Sequence, residues 1–153
     1  MEPAHKSAPQ HASNDIIFGM LLVKTFLAPS KIEGIGLFAD QDIAKNTITW
    51  KFSPAFDSVF EIDKINKMPA LLKDFIKSYA SLSMISNKYI LGNDNVRFTN
   101  HSTKPNLISK KIDGEIEKVA MTTRNIKKGE ELTIDYRSFD KNDANSKRDY
   151  LQK

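Results

Sequence analysis

The chain has 153 residues, 40% of them hydrophobic, with 23 Lys and Arg against 19 Asp and Glu for a formal net charge of +4. That length predicts one domain and excludes a ~250-residue barrel or a two-lobed dehydrogenase. The absence of cysteine removes disulfide scaffolds, thiolate zinc sites, iron–sulfur clusters and cysteine nucleophiles together, and it fits a reducing compartment. The mild basic excess favours acidic surfaces but falls short of a nucleic-acid footprint, which needs a Lys/Arg stripe with exposed aromatics. The longest apolar stretch, from Ile16 to Val23, is well short of the ~20 residues that cross a bilayer.

Residues 1–14 carry Ala, Pro, Ser and His without apolar periodicity and read as a disordered leader. The stretch from Ile16 has the length of a signal-peptide core, but Asp15 abuts it and Lys6 is a weak positive flank, so it reads as strand. Short β-rich runs then alternate with turn residues, predicting strands over 21–26, 36–39, 47–52, 88–91, 117–123 and 131–136. Asp42-Ile43-Ala44-Lys45-Asn46 and Asn125-Ile126-Lys127-Lys128-Gly129 are either one turn design used twice or two unrelated turns. Each ends on a residue type that tolerates positive φ. A short helix is expected over 59–67, ended by Met68-Pro69. A second follows, with Pro69 in its first turn and Leu72, Phe75, Ile76 and Tyr79 forming an i, i+3, i+4, i+7 stripe. The charged tail, 141–153, carries Tyr150 and Leu151 and is read as a terminal helix.

Three segments hold polar residues or glycines that packing alone does not call for. In GIGLFA, Gly34 and Gly36 flank Ile35; a lone Gly-x-Gly is a hairpin turn by default, and no helix follows to make a dinucleotide fingerprint. The run from Asn93 to Asn106 is too polar for core and reads as a loop. In ELTIDY, alternation puts Leu132, Ile134 and Tyr136 on one face and Thr133 and Asp135 on the other; alone, it reads as a surface strand with a half-buried Tyr.

In this order, GIGLFA, RFTNHSTKPN and ELTIDY resemble the SET domain of protein-lysine methyltransferases, and the layout is similar to small stand-alone SET proteins. The resemblance implies an α+β fold, mainly β with a small helical insert, built of short curved sheets with a knot-like C-terminal motif. It places a SET domain over 15–136 and a tail over 137–153. Many relatives close the lysine channel with a cysteine-rich zinc module; with no Cys here, the tail is the expected closing element. The location implied is cytoplasmic, or nuclear in a eukaryote.

The implied reaction is methyl transfer from S-adenosylmethionine (SAM) to a lysine of a basic protein, histone-like or ribosomal. The resemblance assigns Gly34, Ile35, Gly36, Arg97, Asn100 and His101 to the cofactor, with Tyr89 as an aromatic wall. Tyr136 is the catalytic tyrosine, beside the transferring methyl. Ile134 and Phe139 are expected to line the lysine channel, with Trp50 as a further wall or a core residue. Ile134 stands where some relatives have a ring that limits methylation, so room for a dimethyl or trimethyl product is expected. His101 has only His5 and His11 for company, so no metal site is expected. The alternative is a catalytically silent SET fold that binds a peptide or SAM.

Overall fold

The computed structural model describes residues 20–153; the predicted leader and residues 16–19 of the apolar stretch lie outside them. The first strand, β1 (Thr25–Pro29), begins later than expected, because the chain at Leu21 instead makes a single bridge to Trp50. It pairs antiparallel with β2 (Ile35–Ala39). The strands β3 (Ile48–Trp50), β4 (Ser58–Phe60), β5 (Ser81–Leu82), β6 (Tyr89–Leu91), β7 (Asn100–His101), β8 (Leu107–Lys110), β9 (Val119–Thr122) and β10 (Thr133–Ile134) form two further sheets. One has the order β4-β6-β5, the other β3-β9-β8-β10-β7.

In the larger sheet β10 runs parallel to both β7 and β8 and lies between them. The connection 102–106 therefore passes over a strand made some 30 residues later, the knot-like arrangement the resemblance implied. A surface strand is not what ELTIDY forms: Leu132, Thr133 and Ile134 are all buried, so both faces of β10 are covered. The two similar turns are a pair. Ile43 and Ile126 exchange backbone hydrogen bonds, each 2.8 Å. Asn125 Oδ1 accepts from the Lys45 amide at 2.8 Å, while Asp42 Oδ1 accepts from the Lys128 amide at 2.9 Å. Asn46 (φ 63°) and Gly129 (φ 91°) take the left-handed conformation that closes each turn.

The helical insert differs from expectation. Val59 and Phe60 pair with Ile90 and Tyr89 in β4, so the first helix, α1, is only Ile62–Asn66. Pro69 is the cap preceding α2 (Ala70–Tyr79) rather than a residue of its first turn. Only Ile76 of the predicted stripe is buried, while Leu72, Phe75 and Tyr79 stay largely exposed. Ile65, Ile76, Leu82, Tyr89 and Leu91 form the core of this insert. The main core, with Leu37, Ile43, Leu107, Ile126, Leu132 and Ile134, lies under β7 and β10 and carries Tyr136 and Phe139 at its margin. The tail ends in a 3-10 turn, Asp149–Gln152, not an α-helix, with Leu151 fully buried.

Candidate active site

Asn100 and His101 are held by β10, in register with Thr133 and Ile134. Burial obliges their side chains to find partners. The Asn100 amide nitrogen is shared among the carbonyls of Glu33 (3.0 Å) and Ile35 (3.3 Å) and the Glu131 carboxylate (2.9 Å). Among the described residues no donor reaches its oxygen. Glu131 also accepts from the Ser30 hydroxyl, at 2.8 and 3.0 Å. A Cβ on Gly36 would sit 2.3 Å from Glu131 Oε1. Gly36 is thus required by a protein carboxylate, where the sequence suggested approach to a ligand. Gly34 is required by its own backbone, at φ 45°, with no atom near a would-be Cβ.

His101 fastens two segments. Its Nδ1 accepts from the Tyr136 amide and its Nε2 donates to the Leu151 carbonyl, both at 3.1 Å, which assigns a neutral ring with the proton on Nε2. Asp135 is 3.7 Å from Nδ1 but is engaged by Arg137, whose guanidinium holds the Asp135 carboxyl below the usual range. The tail continues across the site. The Lys153 carbonyl accepts from the Thr103 amide at 2.8 Å, and its ammonium pairs with Glu33 at 2.8 Å.

The Tyr136 ring meets His101, Phe139 and Tyr150 edge-on, and its hydroxyl donates to the Thr99 carbonyl at 2.7 Å. Burial above all, and then the nearby Tyr150, Asp143 and Asp140, push its pKa far above the ordinary tyrosine value. The hydroxyl stays protonated at neutral pH.

Two cavities meet at this ring. One, about 340 Å³, is lined by Ile32, Glu33, Asn100, His101, Tyr136, Tyr150 and Lys153. The other, about 470 Å³, is lined by residues that include Trp50, Tyr79, Thr99, Ile134, Tyr136 and Phe139. Tyr136 and Tyr150 alone line both.

The structure thus gathers Asn100, His101 and Tyr136 at one cavity and Ile134, Phe139 and Trp50 at the other. Arg97 and Tyr89 do not line the smaller cavity. Arg97 stacks its guanidinium over Phe98, 5.2 Å from the ring centre, and lines the larger cavity. Tyr89 is packed in the insert's core, its hydroxyl bonded to Asn142, and lines neither cavity. Gly34, Ile35 and Gly36 stand behind Asn100 and do not line the smaller cavity. Glu131 and Thr99 went unnoticed in the sequence. The available signal was the polar face of ELTIDY, since a strand buried on both faces must satisfy each polar residue internally.

The SET domain family model matches residues 34–137. Over 128 residues, 80% of this chain, the sequence is 29% identical to human histone-lysine N-methyltransferase 2D. It is 30% identical over 134 residues to the Drosophila melanogaster histone-lysine N-methyltransferase trr. The matches cover 2% and 5% of those much longer proteins. Among solved structures, a Plasmodium falciparum protein described as a candidate histone methyltransferase superposes with a TM-score of 0.52 at 22% identity, over 73% of this chain and 91% of that one. That likeness bears on the fold. With the family model matching more than half of the chain, including Asn100, His101 and Tyr136, the chain belongs to the SET domain family.

Proposed function

We propose that this chain transfers a methyl group from SAM to the ε-amine of a lysine in a protein substrate. The observation that carries the reading is the position of Tyr136, whose ring lines both cavities. The relatives' names as histone-lysine methyltransferases support a basic, histone-like protein as the acceptor.

The smaller cavity fits the cofactor. Its volume of about 340 Å³ lies in the ~300–1,000 Å³ range of small-molecule sites. It offers the Asn100 amide oxygen, which no protein donor occupies, together with the backbone at Glu33 and His101. When bound there, SAM supplies an electrophilic methyl on a sulfonium centre.

The protein's share of the work is alignment and proton control. A lysine ammonium, with a pKa near 10.4, has no lone pair to attack with. The apolar walls of the larger cavity, Trp50, Ile134 and Phe139 among them, disfavour the charged form and lower that pKa. Because the Tyr136 proton is committed to the Thr99 carbonyl, its oxygen presents lone pairs and accepts an N–H of the incoming amine. The amine's own lone pair is left free and pointed away from the hydroxyl. Tyr136 orients; its raised pKa unsuits it to act as phenolate base. Alignment of this kind removes up to ~7–11 kcal/mol of barrier.

The test is labelled-SAM transfer to a panel of core histones and ribosomal proteins, with mass-spectrometric site mapping. Lysine methylation that disappears with Tyr136→Phe is expected. Saturable SAM binding without transfer to any protein would favour the silent binding module, and absence of SAM binding would overturn the reading.

A further inference from the structure

The larger cavity contains charge that the transfer chemistry above does not use. Glu117 is 7% exposed, and its carboxylate accepts from the Ser83 hydroxyl. Asp140 is half-buried and accepts the backbone amides of Leu82 (3.3 Å) and Asn142 (2.9 Å). Ser83 also forms a backbone bridge with Asp140, so one short stretch after β5 fixes both acids at the same wall.

Neither acid has a cation within ion-pair distance: among the described residues no Lys or Arg forms an ion pair with Glu117 or Asp140. Of the basic groups around the same cavity three are otherwise engaged, while Lys77 of α2 also lines it. The Lys118 ammonium donates to the Ser138 carbonyl at 2.8 Å, Arg148 serves Asp143 and Tyr150, and Arg97 covers Phe98. Burial, with Asp143 adding to it, has pushed the Asp140 carboxyl up to about 6 against the smaller opposing pull of two backbone amides and of Arg148, as expected of a carboxylate with no cation in direct contact. An ionised group withdrawn from water without a partner is costly, and a bound cation relieves that cost.

A second observation points to a ligand in the same place. Thr99 is 8% exposed and lines this cavity, yet its hydroxyl has no hydrogen-bond partner, although its carbonyl holds the Tyr136 hydroxyl. The indole N–H of Trp50, another residue lining this cavity, is also unpartnered. Buried polar groups are seldom left this way.

We propose that Glu117 and Asp140 form a receiving site for the cationic lysine side chain of the substrate, holding it as an ammonium before it reaches Tyr136. The site rests on the methyltransferase reading for its purpose, though not for its chemistry, which is recognition of a primary alkylammonium. The ammonium then gives its proton to solvent water at the cavity mouth as it moves from the acidic wall to the apolar one. Glu117 and Asp140 are positioning residues for an acceptor that enters charged and reacts neutral.

The experiment is an NMR titration of the full chain with n-butylammonium chloride, using n-butanol as its neutral shape match. Amide shifts are followed at Thr99, Glu117 and Asp140 in the wild type, Glu117→Gln and Asp140→Asn. Saturable shifts with the ammonium and none with the alcohol are expected, and each substitution should weaken binding roughly tenfold. Equal responses to ammonium and alcohol, no response to either, or unchanged affinity in folded variants would overturn the proposal. The wild-type comparison needs no substitution, so a variant that fails to fold does not decide the matter. SAM binding is measured in parallel. Ammonium binding without SAM binding would remove the methyltransferase reading and leave this site standing. SAM-dependent transfer whose KM for the protein substrate is unmoved in both variants would remove this site alone.

Discussion

Tyr136→Phe deletes one oxygen and keeps the ring among His101, Phe139 and Tyr150. What it removes is the 2.7 Å bond to the Thr99 carbonyl. That acceptor belongs to a residue 8% exposed, so it is left unsatisfied in the interior at a cost of ~1–3 kcal/mol. At ~2–4 °C per kcal/mol for a chain of this size, the melting temperature should fall by roughly 2–12 °C. The variant remains folded at 25 °C and keeps the Asn100 and His101 contacts, so SAM affinity by calorimetry should be unchanged. The rate should not survive as well. Without the hydroxyl oxygen the amine loses the acceptor that fixes its lone pair, and misplacement on this scale costs on the order of 10²-fold in kcat. Since the wild-type hydroxyl is protonated well above neutrality, raising the pH from 7 to 9 should speed both proteins through lysine deprotonation and leave their ratio constant. A kcat within twofold of wild type, or a ratio that grows as pH rises, would refute the orienting role.

Three further perturbations bear on the supporting structure. Gly36→Ala places a Cβ 2.3 Å from Glu131 Oε1 and should cost ~1–3 kcal/mol through overpacking. It should also weaken SAM binding by displacing the carboxylate behind Asn100; Gly34→Ala, which meets no atom, should cost only the ~1–2 kcal/mol of left-handed strain, and a larger loss of SAM affinity in Gly34→Ala would reverse this account. Leu151→Ala, at a fully buried tail position, should lower unfolding stability by ~2–5 kcal/mol and accelerate SAM release in stopped-flow; an unchanged denaturation midpoint would show that the tail is not docked. Asp140 has its native pKa raised to about 6 from an unfolded value near ~3.9, so the native state binds more protons between those values. The wild type should therefore lose stability as pH climbs through that window, whereas Asp140→Asn should not. The difference should be full above the upper value and absent below the lower one, and parallel denaturation curves from pH 4 to 8 would contradict it.

The elements legible in the sequence are those whose partners impose an ordinary pattern. Val119 to Thr122 and Tyr89 to Leu91 are β-rich runs in antiparallel ladders and were found where expected. Asn100 and His101 were read as loop because a strand of two polar residues has no local signature; a strand inserted from far along the chain makes them one. Val59 and Phe60 fit a helix or a strand in sequence, because a short apolar run before Ile62 suits either period, and only the ladder to Tyr89 and Ile90 decides. The motifs that carry the resemblance bring Asn100, His101 and Tyr136 together at one cavity. Arg97 and Tyr89 stand apart from it, in surroundings set by Phe98 and by the insert's core. Glu131 was missed although it stood inside a quoted motif, since its importance comes from Ser30, about a hundred residues away.

The insertion of β10 between β7 and β8 has a bearing on how the molecule comes into being. β7 depends on β10 for its one sheet neighbour, and β8, already paired with β9, for its second. During synthesis, everything from Thr25 to Thr122 can leave the ribosome while Asn100 and His101 still lack the strand they pair with. The paired turns at Ile43 and Ile126 impose a similar wait, since neither closes its bridge without the other. Closing loops of this length before their contacts form is what slows chains of high contact order. Over that interval an unpaired strand edge is exposed to aggregation. The residues that make the site are thus among the last to be assembled, and a chain arrested before residue 133 would have the hairpin, the insert and the β3-β9-β8 ladder but neither Ile134 nor Tyr136 to line the cavities.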